Sequence, residues 1–333
     1  MRKPAILITG ANGEIGKDLI KALHQGNGDV NIITLDLNKL NSSLSKYISE
    51  QITGDILDSD LIDKLNIKYK FASIYHLAAL LSTQSEISPQ SAHNVNVGGT
   101  MNMLKLALEQ GKSQENPIKF FFPSSIAVYG LKNKSEKHSV GAISENSYLN
   151  PVTMYGCNKL YCEHLGTYYS YHYQKFENVK KNFNIDFRSI RFPGIISSKT
   201  IPTGGGTSDY IPEMFHAASK GLKYKCFVRG DSKIPFMTMP DAIRAIKYIM
   251  EAPKKKLNKT VYNIRAFAPT AEEFRQKIIY IFPTAQIEYE INKKRQKMVD
   301  SWPSDTNDNA AQLDWDWKPQ HDLETGLMEY LVS

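Results

Sequence analysis

The segment that decides the fold reads Ile6-Leu7-Ile8-Thr9-Gly10-Ala11-Asn12-Gly13-Glu14-Ile15-Gly16. A short apolar run leads into glycines at G-x-x-G-x-x-G spacing, and a helical pattern follows. Glycine allows a tight turn and the close approach of a ligand, while free N–H groups at a helix start attract phosphate. The segment therefore predicts a strand, a turn and a helix that bind the pyrophosphate of a dinucleotide. The residues predicted to contact it are Gly10, Asn12, Gly13, Glu14, Ile15 and Gly16.

A carboxylate at the end of the next predicted strand narrows the choice of dinucleotide. Asp36 follows the last glycine of the turn by about 20 residues, where a carboxylate can accept hydrogen bonds from the adenosine ribose. No arginine occurs at positions 37–39, where Lys39 is the nearby cation. Because Asp36 would repel a 2′-phosphate, the sequence favours NAD over NADP. The alternative is a strand-end aspartate that only caps a turn.

The first half of the chain alternates short apolar runs with helical patterns. Strands are predicted at 5–9, 30–36, 71–78, 119–123 and 187–192, with helices from about Glu14, at 99–110 and from near Tyr155. This alternation is typical of parallel βαβ units, so we expect an α/β fold with a doubly wound, Rossmann-type parallel sheet. Beyond Pro193-Gly194 the elements become shorter. We expect an NAD-binding domain at 1–193 and a smaller mixed substrate-binding region at 194–333, with some exchange of elements between them.

Composition excludes several classes of protein. Of the 333 residues, 41% are hydrophobic and 23% charged, as in ordinary globular proteins. The net charge is +7, but the lysines and arginines are scattered along the sequence, so nucleic-acid binding is not expected. The three cysteines lack C-x-x-C spacing and no His/Cys/Asp cluster occurs, so no metal is expected. With no long apolar run and no room for a signal peptide, we expect a protein of the cytoplasm, or of the mitochondrial matrix if a leader is removed.

Tyr155 and Lys159 form the candidate chemical centre. Four residues apart, they share one face of a helix. A tyrosine of ordinary pKa near 10 is ionised at about one part in a thousand at neutral pH, so a tyrosine base needs nearby positive charge. Lys159 and an oxidised nicotinamide would supply it. Ser125 ends a predicted strand about 30 residues upstream, at the sheet edge where α/β proteins bind ligands.

Together these motifs resemble the extended short-chain dehydrogenase/reductase family over nearly the whole chain. The shared motifs are the glycine turn, His76-Leu77-Ala78-Ala79, Asn96 before Gly98-Gly99-Thr100, the strand ending in Ser124-Ser125, and Y-x-x-x-K. The resemblance implies that Ser125 holds the substrate oxygen, Tyr155 is the acid/base and Lys159 binds the nicotinamide ribose. It also implies cofactor contacts from Asp55, Ile56, Leu77, Ala78, Ala79 and Asn96. His76 is interpreted as a packed residue and not as a proton carrier.

Later segments resemble one branch of that family, the short-chain type of L-threonine 3-dehydrogenases. They lie at 191–196, 203–210, 239–242, 301–303 and 314–317. The resemblance implies oxidation of the threonine β-hydroxyl by NAD⁺ to give 2-amino-3-oxobutanoate and NADH, with Ser82 near the substrate. From the residues alone, Thr207 is an N-cap type before a helix predicted to start at Ser208, whose amides would receive the substrate carboxylate. Asp209 would face the ammonium group. The alternative is a capped glycine-rich turn without a ligand.

Two other functions remain open at this point: a nucleotide-sugar epimerase or dehydratase on the same scaffold, and a non-catalytic NAD-binding regulatory protein. Family members commonly pair two long helices per subunit, so the resemblance implies a homodimer through the helices near Met101 and Tyr155. The stretch 173–184 is longer and more charged than the resemblance predicts.

Overall fold

The computed structural model describes residues 3–26, 30–173, 185–198 and 206–327. Its strands are β1 Lys3–Thr9, β2 Ile32–Asp36, β3 Glu50–Thr53, β4 Tyr69–His76, β5 Lys119–Ser125, β6 Ala142–Ile143, β7 Asp186–Phe192, β8 Gly194–Ile196, β9 Tyr224–Cys226, β10 Phe236–Thr238, β11 Val261–Asn263, β12 Ile287–Tyr289 and β13 Asp305–Thr306. Its helices are α1 Glu14–Gly26, α2 Ser59–Lys68, α3 Ser82–Ile87, α4 Pro89–His93, α5 Gly99–Gln114, α6 Lys134–Ser139, α7 Met154–Tyr171, α8 Tyr210–Ser219, α9 Met239–Glu251, α10 Ala271–Ile281, α11 Lys293–Ser301, α12 Asn309–Trp315 and α13 Leu323–Thr325.

Seven parallel strands form the central sheet, in the order β3-β2-β1-β4-β5-β7-β11. The chain runs outward from β1 to one edge and then returns to build the other half. This reversal beside β1 is the doubly wound arrangement, and it confirms the predicted Rossmann-type fold. Ligands of such sheets bind beyond the carboxyl ends of the strands at the reversal, between β1 and β4.

Helices cover both faces of the sheet, and β1 shows why its sequence is almost continuously apolar. Ile6 and Ile8 point into a core shared with α1 and α9, whereas Ala5 and Leu7 point into a core shared with α2, α5 and α7. Successive side chains of a strand point to opposite faces, so a strand buried on both faces lacks polar alternation. At 0% exposure, Leu7 and Ile8 each belong to a different core.

A third core lies in the C-terminal region, where α8 and α10 pack on the short strands. The parallel pairs β8 with β10, β9 with β12 and β6 with β13 stand outside the central sheet. Strand β11 lies beyond residue 193 in sequence, yet it extends the central sheet by pairing with β7. Helix α9 likewise contacts α1. A division near residue 193 stays a prediction, and we propose that β11 and α9 belong structurally to the first region.

Helix α7 packs closely against the sheet at Gly166. A Cβ atom at this position would lie 2.2 Å from Cε2 of the buried Phe187 ring on β7. No atom pair tolerates that distance, so only glycine permits the present separation of α7 from the sheet. Tyr155 and Lys159 are on the same helix.

We expect Gly166→Ala to lower the free energy of unfolding by about 1–3 kcal/mol, the usual cost of forcing extra volume into a packed core. Gly98→Ala is the matched control, because a Cβ atom there meets nothing closer than 3.6 Å. Alanine in a helical position is more favourable than glycine by about 0.5–1 kcal/mol, so the control should be neutral or stabilised. Urea unfolding of both variants measures the difference. Equal stabilities would contradict the packing described for α7.

Candidate dinucleotide and active site

The glycines of the first turn are required for different reasons. Gly10 has a φ of 65°, and a Cβ atom there would lie 2.5 Å from the Ala78 backbone nitrogen. At Gly16, a Cβ atom would lie 2.6 Å from the Ala11 carbonyl oxygen. Contacts within the protein thus explain both. Gly13 is different, because a Cβ atom there meets only the Gly10 carbonyl oxygen, at 3.3 Å. Its open side at the start of α1 fits the approach of a phosphate.

Asp36 stands directly beside this turn. Its Oδ2 accepts a hydrogen bond of 2.9 Å from the Asn12 backbone N–H, and its Oδ1 accepts one of 3.0 Å from Asn38 N–H. The carboxylate therefore links the end of β2 to the glycine turn. The ribose contact of Asp36 stays a prediction, and the two hydrogen bonds provide the turn-capping contact of the alternative interpretation.

The predicted adenine and nicotinamide segments line the same edge of the sheet. Asp55 Oδ1 accepts from Leu57 N–H at 3.0 Å, while the Ile56 side chain is buried against Gly99. Asn96, which is 3% exposed, uses its side-chain amide twice on Leu80: Oδ1 accepts from the backbone N–H at 2.7 Å and Nδ2 donates to the carbonyl at 3.1 Å. These two hydrogen bonds hold the backbone that follows Leu77-Ala78-Ala79 in place.

His76 lies packed at the end of β4, as interpreted from the sequence. Its Nδ1 is 2.7 Å from Thr9 Oγ1 and its Nε2 is 3.0 Å from Thr100 Oγ1. Burial, and secondarily the Lys159 charge, lowers the pKa of His76 to about 3. The imidazole is therefore neutral at physiological pH, and it ties β1, β4 and α5 together.

The first turn of α7 brings Tyr155 to the end of β5. Thr153 caps the helix, its Oγ1 accepting from Gly156 N–H at 3.0 Å. A Cβ atom at Gly156 would lie 2.1 Å from the Ala127 carbonyl oxygen, in the short 3₁₀ turn that follows Ser125. Ser125 Oγ accepts from Ala127 N–H at 3.2 Å. The structure thus places Ser125 and the Tyr155 turn in adjoining segments.

Lys159 is 3% exposed on the same helix. Its Nζ donates to the Pro123 carbonyl at 2.6 Å and lies 5.4 Å from the centre of the Tyr155 ring. Burial lowers the pKa of Lys159 to about 8, with Cys162 and Glu163 acting in the opposite direction. Burial raises the pKa of the Tyr155 phenol. A phenolate at Tyr155 therefore depends on positive charge brought beside it.

A buried polar network behind these residues was missed from the sequence. Glu163 accepts from Arg191 Nε at 2.8 Å and from Arg191 Nη2 at 2.6 Å, and Ser124 Oγ donates to it at 2.5 Å. Arg191 Nη1 also donates to Tyr129 Oη at 2.8 Å, and Tyr129 donates to Asn263 Oδ1 at 2.7 Å. The network joins β5, α7, β7 and β11. Its sequence signals are an arginine in an apolar strand and a glutamate four residues after Lys159.

At the turn formed by residues 206–209, the predicted start of helix α8 is wrong. Helix α8 begins at Tyr210, two residues later than predicted, and Asp209 occupies the cap position in place of Thr207. The helix starts late because Asp209 Oδ2 accepts from Gly206 N–H at 2.6 Å, which closes a separate turn before it. Thr207 is 4% exposed, with Oγ1 3.7 Å from Met298 Sδ. Positions 204 and 205 lie outside the described residues, as do 174–184.

Among the residues that the structure describes, no group of three or more histidine, cysteine, aspartate or glutamate side chains has a geometry that could hold a metal ion. No helix in these parts of the chain is both long and apolar enough to cross a membrane.

The doubly wound sheet, the glycine turn at its reversal and the Ser125, Tyr155 and Lys159 segments define a Rossmann-fold protein with a dinucleotide-type site. Residues 6–264 match the NAD dependent epimerase/dehydratase family. The chain belongs to this family.

Several relatives and solved structures are similar to this chain over nearly its whole length. The chain is 34% identical over 319 residues to the mitochondrial L-threonine 3-dehydrogenase of Bos taurus, covering 96% of this chain and 79% of the bovine one. A holo structure of the GalE-like L-threonine dehydrogenase of Cupriavidus necator is 34% identical, with a TM-score of 0.85 and 99% of both chains covered. A monomeric L-threonine 3-dehydrogenase from a metagenome is 36% identical, with a TM-score of 0.84 and coverage of 98% and 97%.

The Glu163–Arg191 pair yields a stability prediction. Removing one partner of a buried ion pair leaves the other charge uncompensated, which costs about 3–5 kcal/mol. We expect Glu163→Gln to lower the free energy of unfolding by that amount, measured by urea titration. The control is Glu109→Gln, which breaks the half-exposed Lys112 pair of 3.4 Å. Surface pairs contribute less than about 1 kcal/mol, so the control should barely change. A Glu163 variant as stable as the control would show that the buried pair is dispensable.

Proposed function

We propose that this protein is an NAD⁺-dependent L-threonine 3-dehydrogenase. The observation that carries the proposal is the arrangement of Ser125 at the end of β5 beside the first turn of α7, with Lys159 buried on the same helix as Tyr155. This arrangement suits oxidation of a secondary alcohol. The choice of threonine is supported by the resemblance at 203–210 and 301–303 and by relatives bearing that name across 96% of the chain.

In the proposed reaction, Tyr155 accepts the proton of the threonine β-hydroxyl through its phenolate oxygen. Ser125 holds the hydroxyl oxygen during the transfer, and the Lys159 ammonium stabilises the phenolate against the effect of burial. When bound, the dinucleotide supplies the acceptor for the hydride leaving the β-carbon. The products are 2-amino-3-oxobutanoate and NADH, with the proton left on Tyr155.

The cofactor is proposed to bind along the carboxyl edge of β1, β2 and β4. Gly13, with its open side, and the backbone N–H groups of Glu14, Ile15 and Gly16 would hold the pyrophosphate beside Gly10. Asn12 would line the same turn, since its backbone N–H already donates to Asp36. Asp36 would take the adenosine ribose, Asp55 and Ile56 the adenine, and Leu77-Ala78-Ala79 the segment toward the nicotinamide. Lys159 and Tyr155 would contact the nicotinamide ribose. Asn96 contributes to the cofactor site by holding the Leu80 backbone, since its amide is already used there.

The amino-acid end of the substrate is proposed to face the turn at 206–209. The backbone N–H groups of Thr207 and Ser208 would receive the substrate carboxylate. Asp209 would attract the ammonium group, and Ser82, at the start of α3, would lie at the opposite side of the opening.

The nucleotide-sugar alternative has weaker support. A UDP-glucose 4-epimerase of Thermotoga maritima shares the fold, with a TM-score of 0.79, but only 19% of its residues are identical. The silent regulatory alternative is disfavoured by the presence of Ser125, Tyr155 and Lys159 together.

We also propose a homodimer through α5 and α7, since Met101 on α5 and Tyr161 and Tyr168 on α7 are 42%, 50% and 43% exposed. Light scattering gives the mass directly, and a monomer, as named for the metagenomic relative, would refute the dimer. The cytoplasm remains the proposed compartment, or the mitochondrial matrix, since the bovine relative is named as mitochondrial.

The direct test is the absorbance of NADH when the protein is mixed with NAD⁺ and L-threonine. We expect NADH to form with threonine, and no conversion of UDP-sugars. Tyr155→Phe should reduce turnover by about 10²–10⁴-fold, the usual contribution of a general base, because the ring remains and only the proton acceptor is lost. Binding of NAD⁺ by this variant, measured by calorimetry, should stay near that of the parent. Near-normal turnover would refute the role of Tyr155.

The Asp36 carboxylate should determine cofactor preference. We expect the ratio of kcat/KM for NAD⁺ over NADP⁺ to fall about tenfold or more in Asp36→Asn, because the charge that repels a 2′-phosphate is lost. The amide oxygen of asparagine can still accept from Asn12 N–H, so the turn is retained. Lys39→Met, at the nearby cation, serves as the comparison and should raise the ratio slightly. A parent protein that prefers NADP⁺ would refute this assignment.

A further inference from the structure

Arg295 reaches from α11 to the turn at 206–209. Its Nη2 donates to the Gly206 carbonyl, and its guanidinium carbon lies 3.2 Å from the centre of the buried Phe227 ring. The side chain is half-buried and stacked, so its planar group is fixed in place before any ligand arrives.

Gly206 is held from its other side by Asp209. The Gly206 N–H donates to Asp209 Oδ2 at 2.6 Å, and Asp209 N–H donates back to the Gly206 carbonyl at 3.2 Å. A Cβ atom at Gly206 would lie 2.3 Å from Asp209 Oδ1, so a larger residue here would displace the Asp209 carboxylate. The carbonyl of Gly206 thus accepts from both Asp209 and Arg295, and the two bonds fix the orientation of the peptide that leads into Thr207.

The charges around the turn also depend on Arg295. Burial raises the pKa of Asp209 and of Glu213, and the Arg295 charge acts in the opposite direction on both carboxyl groups. Glu213 further accepts from Tyr224 Oη at 2.8 Å. One guanidinium therefore acts to lower the pKa of two carboxyl groups, the half-buried Asp209 and the buried Glu213. Without it, the carboxyl groups would lose charge or separate, and Asp209 is the group that holds the Gly206 amide.

The positive charge of Arg295 does not stabilise α11. Arg295 follows Lys293 and Lys294 in the first turn, at the positive end of the helix dipole, where a cation is unfavourable by about 0.3–1 kcal/mol. Asn292 caps this end, accepting from Lys294 N–H and Arg295 N–H at 3.1 Å each. The guanidinium is therefore directed away from its helix, and its interactions are with the turn and the Phe227 ring.

We propose that Arg295 is a positioning residue for the amino-acid substrate: by holding the Gly206 carbonyl, it turns the Thr207 and Ser208 N–H groups toward the substrate carboxylate. The inference rests on the proposed function, since that function assigns the carboxylate to this turn. Arg295 itself makes no contact with the reacting atoms.

The test is steady-state kinetics of Arg295→Met, which keeps an unbranched apolar side chain over Phe227 and removes the donor. We expect the KM for threonine to rise about 10–100-fold, as for loss of a hydrogen bond from a charged group, with kcat and the Kd for NAD⁺ within about twofold of the parent. Millimolar guanidinium should restore part of the lost affinity for threonine. Arg295→Lys keeps the charge and one donor, so its KM should lie between the two.

Lys297→Met is the matched control, because it removes an exposed cation two residues along the same helix. Its KM for threonine should equal that of the parent, which excludes a general charge effect. If Arg295→Met does not fold, Arg295→Lys and its response to guanidinium decide the question.

Each outcome has a distinct meaning. A parent protein that forms no NADH from threonine overturns the proposed function and this inference together. An active parent with an unchanged KM in Arg295→Met, or in Arg295→Lys if that is the variant that folds, overturns the role of Arg295 alone. A parallel loss of NAD⁺ and threonine binding, without recovery by guanidinium, also overturns it, because a general structural role would produce that pattern.

Discussion

The buried ion pair between Glu163 and Arg191 is the interaction on which the arrangement of the site depends. It joins α7 to β7, while the Ser124 hydroxyl adds β5 through its bond of 2.5 Å to Glu163. Both side chains are 4% exposed, so neither charge could be buried without the other. The position of α7 along the sheet is thereby defined, and with it the positions of Tyr155 and Lys159, which lie about two turns and one turn before Glu163.

Close packing also defines the position of α7 relative to the sheet. Gly156 and Gly166 allow α7 to lie against the Ala127 carbonyl and the Phe187 ring, at separations that exclude any side chain at these two positions. A buried charge pair specifies the register of the helix along the sheet, whereas the glycines specify its distance from the sheet. The position of a phenol relative to a serine hydroxyl needs both, since proton transfer requires hydrogen-bond distance.

The cofactor and substrate ends of the site are constructed on different principles. At the glycine turn, backbone geometry imposed by the strand and helix presents amides to an anion, and Asp36 adds a single charge. At the 206–209 turn, side chains from α11 and from the turn itself hold one peptide in place. The first arrangement is local in sequence. The second arrangement joins Arg295 and Gly206, which are 89 positions apart in the sequence.

The sequence by itself determined the doubly wound fold, the glycine turn, Asp36 at the end of β2 and the shared helix of Tyr155 and Lys159, because each of these is a short-range pattern of spacing and burial. It did not determine that Asn96 holds Leu80, that Glu163 pairs with Arg191, or that Arg295 reaches Gly206. It placed the start of α8 two residues early, since the bond between Asp209 and Gly206 that delays the helix competes with the cap predicted for Thr207. These features were decided by tertiary structure, because the partner of a buried polar group is chosen by which elements pack together and not by its neighbours in sequence.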